Sequence, residues 1–405
     1  MSPSQTSIGQ KYVQLALSIG QHIPGYVDAY FGPAEWRAPT DDQGVRPVHV
    51  LAREAAELSA AIDDATEMEP QRRDFLTRQI RAMRTTLRIL QGERLPLIEE
   101  VEGFFDITPA WTDETVFRDA HRTLEELLPP DGTLPERMAL LKRSREISVA
   151  GAEKLLPFVL AHLRRLTRER FPMPQEETFE IKFVSNQPWG AYNWYLGDCR
   201  SRIEINTDLP LHIVELPSLL AHEGYPGHHT ELSNKDTRLF QEAGYTEHCV
   251  SLINTPACVV SEGMATCALE VLMNEEEQAA WLSNELLPRA GFGHLNAQQE
   301  LAIIKARVRL SGVLPNAAFL LHEQGTGARE VGDYIQEYGL VTEGEARKAL
   351  EFLSIPLYRS YAFTYHRGSE LVRGLFEKKG NRDYWYTRLL SEPVTPHQIR
   401  QWIEG

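Results

Sequence analysis

Apolar residues recur every three or four positions along most of the chain, which is the spacing of an amphipathic helix. The pattern is clear over 8–24, 48–65 and 70–91, and it returns through most of the carboxyl-terminal half. One long helix is predicted over 134–170. We expect Pro157 to bend or interrupt it, because a proline inside a helix removes a backbone hydrogen bond. The chain has no internal repeat, and the pattern predicts a mainly α protein.

Three short segments in the middle of the chain alternate apolar and polar residues in the manner of half-buried strands. They cover 178–184, 191–196 and 201–206. Because they follow one another closely, we expect a small antiparallel sheet. Leu216-Pro217 then begins a helix, since proline suits the first helical turn. The predicted architecture is therefore multi-helical, with one small antiparallel sheet beside that helix.

The change of pattern suggests two parts, an amino-terminal helical part over 1–175 and a second part over 176–405. We expect them to form one integrated unit around a cleft. The length of 405 residues and the hydrophobic fraction of 42% allow a large core. The four cysteines lack the paired spacing of a cysteine zinc site, so buried thiols in a reducing compartment are expected.

Charge and hydropathy narrow the expected partners. The net charge of −15 argues against nucleic acid and anionic lipid as general partners. The chain has no apolar run of about 18 residues that could span a membrane, and its first residues lack the basic and apolar regions of a signal peptide. We therefore expect a cytoplasmic protein.

The densest group of chemically useful side chains is Ala221-His222-Glu223-Gly224-Tyr225-Pro226-Gly227-His228-His229. In the common helical metal motif, His-Glu-x-x-His, the two histidines at i and i+4 share a face. Here Pro226 occupies the i+4 position. A turn widened by two residues at Pro226-Gly227 would bring His228 to that place, because proline and glycine both disturb a helix. We predict His222 and His228 as metal ligands, with His229 as the second choice to His228.

Two carboxylates complete the predicted site. A hydrolytic metal centre needs about three protein ligands and a carboxylate that takes a proton from water. Glu223 lies within the motif and is the candidate general base. Glu262 has apolar neighbours on a predicted helix, and a buried carboxylate needs a partner. We therefore predict Glu262 as the third ligand; the ligand types alone leave zinc, manganese and cobalt open.

The motif resembles the signature of the bacterial domain-of-unknown-function 885 proteins, which are similar to gluzincin-type zinc metallopeptidases. Glu262-Gly263-Met264-Ala265 is similar to the Glu-Gly-Trp-Ala helix of that family, with Met in place of Trp. Tyr365-His366-Arg367-Gly368 is similar to its Tyr-x-x-Gly feature. The resemblance covers about residues 180–378. It implies a mainly α, zincin-like metallopeptidase fold with a deep cleft.

The resemblance also implies roles for single residues. His222, His228 and Glu262 would bind one zinc ion per chain, Glu223 would activate water, and Tyr365 would be an oxyanion donor. The expected function is a zinc-dependent peptidase acting on a peptide or small amide substrate. Two alternatives stay open, a zinc hydrolase of a small non-peptide amide metabolite and a non-catalytic metal- or peptide-binding protein. The presence of Glu223 argues against the second, since a purely structural site needs no base.

Overall fold

Helices form most of the molecule, and the predicted mainly α class is confirmed. The computed structural model describes residues 3–37, 44–187, 189–356 and 358–405. The α-helices, in chain order, are Pro3–Gly20, Val48–Asp63, Pro70–Leu90, Leu97–Phe105, Glu114–Leu127, Leu134–Ser144, Val149–Arg170, Leu216–Glu223, His228–Lys235, Pro256–Thr266, Ala268–Leu272, Glu275–Trp281, Leu287–Arg289, Ala297–Val308, Val313–His322, Ala328–Gly339, Glu343–Ser354, Ala362–Lys379, Arg382–Ser391 and Pro396–Glu404.

The long helix predicted over 134–170 is two helices, Leu134–Ser144 and Val149–Arg170. Pro157 does not interrupt the helix, because it lies inside the second one, and the alternative of a bend at Pro157 stays a prediction. The chain breaks earlier, at Ser148, whose hydroxyl accepts a hydrogen bond from the Gly151 N–H at 3.1 Å. This contact caps the second helix, as serine does at many helix starts.

Seven strands within the described residues form three small sheets. In chain order they are β1 Val27–Tyr30, β2 Glu146–Ile147, β3 Thr178–Val184, β4 Ala191–Gly197, β5 Arg200–Asn206, β6 Leu211–His212 and β7 Val250–Leu252. β1 pairs with β7, β2 pairs with β6, and the third sheet has the order β3-β5-β4. This third sheet is the one that the alternating pattern predicts.

The three-stranded sheet is mixed, so the prediction of an antiparallel sheet is wrong for one of its two pairings. β4 and β5 are antiparallel and share a two-residue turn at Asp198-Cys199, where both residues have positive φ. Such turns match the twist of a hairpin. β5 then lies between the other two strands and runs parallel to β3. Sequence proximity favours a hairpin, but it does not exclude insertion of the third strand between the first two.

The first and second parts of the chain meet in the β1–β7 pair. Its antiparallel register places Val27 opposite Leu252 and Tyr30 opposite Val250. A strand from the amino-terminal part therefore lies beside the second part, close to the candidate site. The division at residue 175 stays a prediction.

The helix Leu216–Glu223 lies against the largest hydrophobic cluster of the described residues. Leu220 and Ala221 are fully buried in that cluster, together with Ile203 and Ile205 of β5. Burial of these side chains fixes the rotation of the helix and so the direction of its last residues. The four cysteines are free thiols. No helix in the described parts of the chain is both long enough and apolar enough to cross a membrane.

Candidate metal centre

The histidine motif folds as two helices with a break between them. The first helix ends at Glu223 and the next begins at His228. The turn predicted to widen at Pro226-Gly227 is therefore a complete interruption, which is a correction to the predicted continuous helix. The break still brings His228 back to His222, and their Nε2 atoms lie 3.1 Å apart.

Gly227 allows this close return of the chain. Its N–H donates a hydrogen bond to the Ala221 carbonyl at 2.9 Å. A Cβ atom at position 227 would lie 1.8 Å from the carbonyl oxygen of His222. No real Cβ approaches an atom so closely, so only glycine fits without movement of the backbone.

Three side chains meet in one group that could hold a metal ion: His222, His228 and Glu262. Glu262 Oε2 lies 3.4 Å from His222 Nε2 and 3.7 Å from His228 Nε2. Metal bonds of 2.0–2.1 Å at a tetrahedral angle would separate ligand atoms by about 3.3 Å. Glu262 Oε2 is also buried without a hydrogen-bond partner among the described residues. The residues present therefore fit a small divalent cation.

Neighbouring side chains form hydrogen bonds with Glu262 and His228 at the atoms that do not face the proposed metal position. Tyr361 Oη donates a hydrogen bond to Glu262 Oε1 at 2.8 Å, which leaves Oε2 free. The Ser261 hydroxyl donates to Glu231 Oε2 at 2.5 Å, and His228 Nδ1 lies 3.1 Å from the same Ser261 oxygen. His228 Nδ1–H can thus donate to Ser261, and Nε2 is then the free lone pair. Metal-binding histidines commonly have their second nitrogen fixed in this way.

The charges around the group favour a cation at its centre. Burial alone would raise the pKa of Glu262, but the neighbouring imidazoles of His222 and His228 hold it well below its usual range. Burial opposes a charge on His228, yet the nearby carboxylates of Glu231 and Glu262 raise its pKa well above the ordinary value. Both pKa shifts indicate that the carboxylates of Glu231 and Glu262 favour a positive charge near His228. A bound metal ion would supply such a charge.

Glu223 and Tyr365 lie at the edge of this group. Glu223 is buried, and within the described chain its carboxylate has no hydrogen-bond donor, while its backbone carbonyl accepts from Asn193 Nδ2 at 2.7 Å. Burial raises the pKa of Glu223, against the opposing effect of His222 and His228. The Tyr365 ring is 6.5 Å from the His222 ring between centroids and is 43% exposed. Both side chains face the same cavity.

His229, the second choice of ligand, lies outside the group. Its Nδ1 is 2.8 Å from Ser201 Oγ, and its Nε2 is 3.1 Å from Glu177 Oε2. The ring is fully buried, and this burial lowers the pKa of His229. Tyr225 Oη donates to the same Glu177 oxygen at 2.6 Å. His229 therefore ties the break between the two helices to β5 rather than facing His222.

The cavity beside the group has a volume of about 420 Å³ and receives residues from both parts of the chain. β1, β4 and β7 line one side, and the helices Pro256–Thr266 and Glu343–Ser354 line another. This size is within the range of small-molecule and peptide side-chain sites.

Sequence reasoning missed three supporting residues: Tyr361, Ser261 and Glu231. Two of them carry a sequence signal. Glu231 stands three positions after His228, so both lie on one helix face, and Tyr361 stands four positions before Tyr365. Ser261 is adjacent to Glu262, but adjacency alone does not predict a contact with His228.

Comparison with solved structures finds similar chains at low sequence identity, two of them with TM-scores above 0.5. A candidate lipoprotein from Colwellia psychrerythraea is 14% identical with a TM-score of 0.52, and the match covers 91% of this chain and 73% of that one. A candidate lipoprotein of unknown function from Shewanella oneidensis is 11% identical with a TM-score of 0.51, covering 93% and 79%. The M32 carboxypeptidase of Deinococcus radiodurans R1 is 11% identical with a TM-score of 0.44, covering 100% and 96%.

No family model and no curated protein matches the chain. The likeness to domain-of-unknown-function 885 proteins therefore stays a resemblance. At these identities the two matches with TM-scores above 0.5 establish the fold alone.

Proposed function

We propose that this protein is a zinc-dependent hydrolase that cleaves peptide bonds. The observation that carries the proposal is the mutual spacing of His222 Nε2, His228 Nε2 and Glu262 Oε2, at 3.1, 3.4 and 3.7 Å. Two imidazoles and one carboxylate are a donor set that zinc uses in catalytic centres with a fourth position for water. The unpartnered Oε2 of Glu262 further supports a bound cation.

Each residue then has a distinct task. Zinc, when bound, supplies Lewis acidity toward a carbonyl and lowers the pKa of water. Glu223 takes the proton of that water and passes it to the leaving amine, a task that suits a buried carboxylate with a raised pKa. Tyr365 donates a hydrogen bond to the oxygen on which negative charge develops. Tyr361 and Ser261 orient Glu262 and His228.

The decisive variant is Glu223→Gln, which keeps the size of the side chain and removes its basicity. We expect zinc content, measured by plasma mass spectrometry, to remain near one per chain. Hydrolysis of a mixed peptide library should fall roughly 10²- to 10⁴-fold, the usual contribution of a general base. Glu330→Gln, at an exposed carboxylate of the helix Ala328–Gly339, is the matched control and should keep the activity of the parent.

The outcomes separate the candidate functions. A Glu223→Gln variant as active as the parent would refute the proposed mechanism. A parent protein that holds zinc but cleaves no peptide, while it hydrolyses small amides, would indicate a metabolite hydrolase. A protein that holds zinc and turns over neither class would be a binding protein.

A further inference from the structure

Asp28 is a carboxylate in the cavity wall to which the proposed mechanism gives no task. It lies on β1 and lines the cavity that contains Glu223. Its Oδ1 accepts a hydrogen bond from Tyr192 Oη on β4. No Lys, Arg or His of the described chain makes an ion pair with it. Asp28 is thus held in place by a neutral donor and has no ion-pair contact among the described side chains.

Two other acidic side chains that line the cavity, Glu231 and Glu247, have basic partners. Glu231 accepts a hydrogen bond from Lys235 Nζ at 2.5 Å. Glu247 forms a buried two-bond pair with Arg72, at 2.6 and 2.7 Å. Glu223 and Glu262 belong to the proposed metal centre, and Glu351, which also lines the cavity, is exposed. Burial raises the pKa of Asp28 to about 7, with His228 opposing and the carboxylates of the centre adding to the rise. A cation beside Asp28 would offset this cost of burial.

Aromatic rings line the same cavity as Asp28. Tyr192, which holds Asp28, packs against Trp189 with ring centroids 5.5 Å apart. Tyr358 stacks on Phe352 at 5.2 Å, and burial together with the charge of Asp28 raises the pKa of Tyr358. All four rings line the cavity. Ring faces attract ammonium groups, most strongly where water is excluded.

We propose that Asp28, with the rings of Tyr192 and Tyr358, binds a primary ammonium group of the substrate. Binding of an ammonium group at Asp28 does not depend on the proposed function. Only the description of the bound molecule as a substrate rests on it. A peptide offers this chemistry in two places, its amino terminus and a lysine side chain. Asp28 thus determines which substrates bind, and it is separate from the groups that act on the scissile bond.

The test uses pairs of fluorogenic peptides that differ only in charge. One pair compares a free with an acetylated amino terminus, and the other compares lysine with norleucine. The zinc-loaded parent should prefer the cationic member of one pair, which identifies the source of the ammonium group. In Asp28→Asn, kcat/KM for that member should fall roughly 10- to 100-fold, mainly through KM, since hydrogen bonds to charged groups are the stronger kind. The neutral member should change less than about threefold.

Two variants control for changes in folding. Tyr192→Phe keeps the ring and loses the hydrogen bond to Asp28, so it should reduce the same preference by a smaller factor. Asp333→Asn changes an exposed carboxylate outside the cavity and should leave both members of each pair unchanged. Equal activity of the parent on both members of both pairs, or an equal loss on both in Asp28→Asn, would overturn the proposal.

Calorimetry with the same peptides separates this inference from the proposed hydrolysis. It is done on zinc-loaded Glu223→Gln, with and without Asp28→Asn. If no peptide is cleaved but the cationic peptide binds more tightly and Asp28→Asn removes the difference, the proposed function fails and the ammonium site stands. If peptides are cleaved without any preference for charge, the function stands and the ammonium site is refuted.

Discussion

Replacement of Gly227 by alanine should damage the proposed metal centre more than the fold. The new Cβ would lie 1.8 Å from the His222 carbonyl oxygen and 2.4 Å from the Ala221 carbonyl oxygen. Ordinary contact begins at 3.4 Å, so the two backbone segments must separate by about 1.6 Å. These nearest neighbours are backbone atoms, which cannot rotate away as a side chain can. His222 and His228 lie on opposite sides of this contact and must therefore move apart.

The size of the effect follows from the tolerance of metal bonds. Ligand distances vary by only about 0.2 Å in sound sites, so a separation of 1.6 Å removes one histidine from reach. Loss of a supporting residue already costs 10- to 100-fold in metal affinity. We expect Gly227→Ala to weaken zinc binding at least about 100-fold, or about 2.8 kcal/mol at 1.4 kcal/mol per tenfold. Overpacking should also lower the free energy of unfolding by roughly 1–3 kcal/mol.

The assay is a titration of zinc in competition with a chelator of known affinity, with circular dichroism as the measure of folding. Gly327→Ala is the matched control, because a Cβ at that position meets no atom within 4 Å. The control should bind zinc as the parent does. A folded Gly227→Ala protein whose zinc affinity is within about threefold of the parent would refute the argument that this glycine positions the histidines.

Two further predictions concern the helix Ala362–Lys379 and its amino-terminal end. Tyr361→Phe removes the hydrogen bond to Glu262 Oε1 and should lower zinc affinity roughly 10-fold in the same titration; an unchanged affinity would show that the tyrosine does not orient the carboxylate. Gly263→Ala places a Cβ 2.4 Å from backbone atoms of Gly368, so chemical denaturation should show a loss of roughly 1–3 kcal/mol. Gly374→Ala, whose Cβ would make only an ordinary contact at 3.9 Å, is the control, and an equal loss there would show that the close approach of Gly263 to Gly368 is not the cause.

Local patterns predicted much of the secondary structure. The alternation over 178–184 gives the bounds of β3, because side chains of a half-buried strand point to opposite faces in turn. The Thr342 and Glu345 pair indicates a helix start, and both hydrogen bonds of that capping box are present. The grouping of His222 with His228 also follows from local chemistry, because proline and glycine disturb a helix, although the predicted widened turn is a complete break in the structure.

Contacts between distant segments could not be predicted in the same way. The parallel pairing of β3 with β5 depends on strand insertion, which no local pattern encodes. Tyr361 is 99 positions from Glu262, and Asp28 is 164 positions from Tyr192. A single tyrosine or aspartate carries no sequence signal for such a partner, because its position depends on the packing of whole helices and sheets.

The pairing of β1 with β7 also has a consequence for how the protein is made. Val27 faces Leu252, which is synthesised 225 positions later. At 5–20 residues per second, β1 would leave the ribosome roughly 10–45 s before its partner strand exists. An unpaired strand edge invites pairing with other chains, and short strands reduce that hazard. β1 has only four residues, so little unpaired strand edge is exposed during the time before β7 is synthesised.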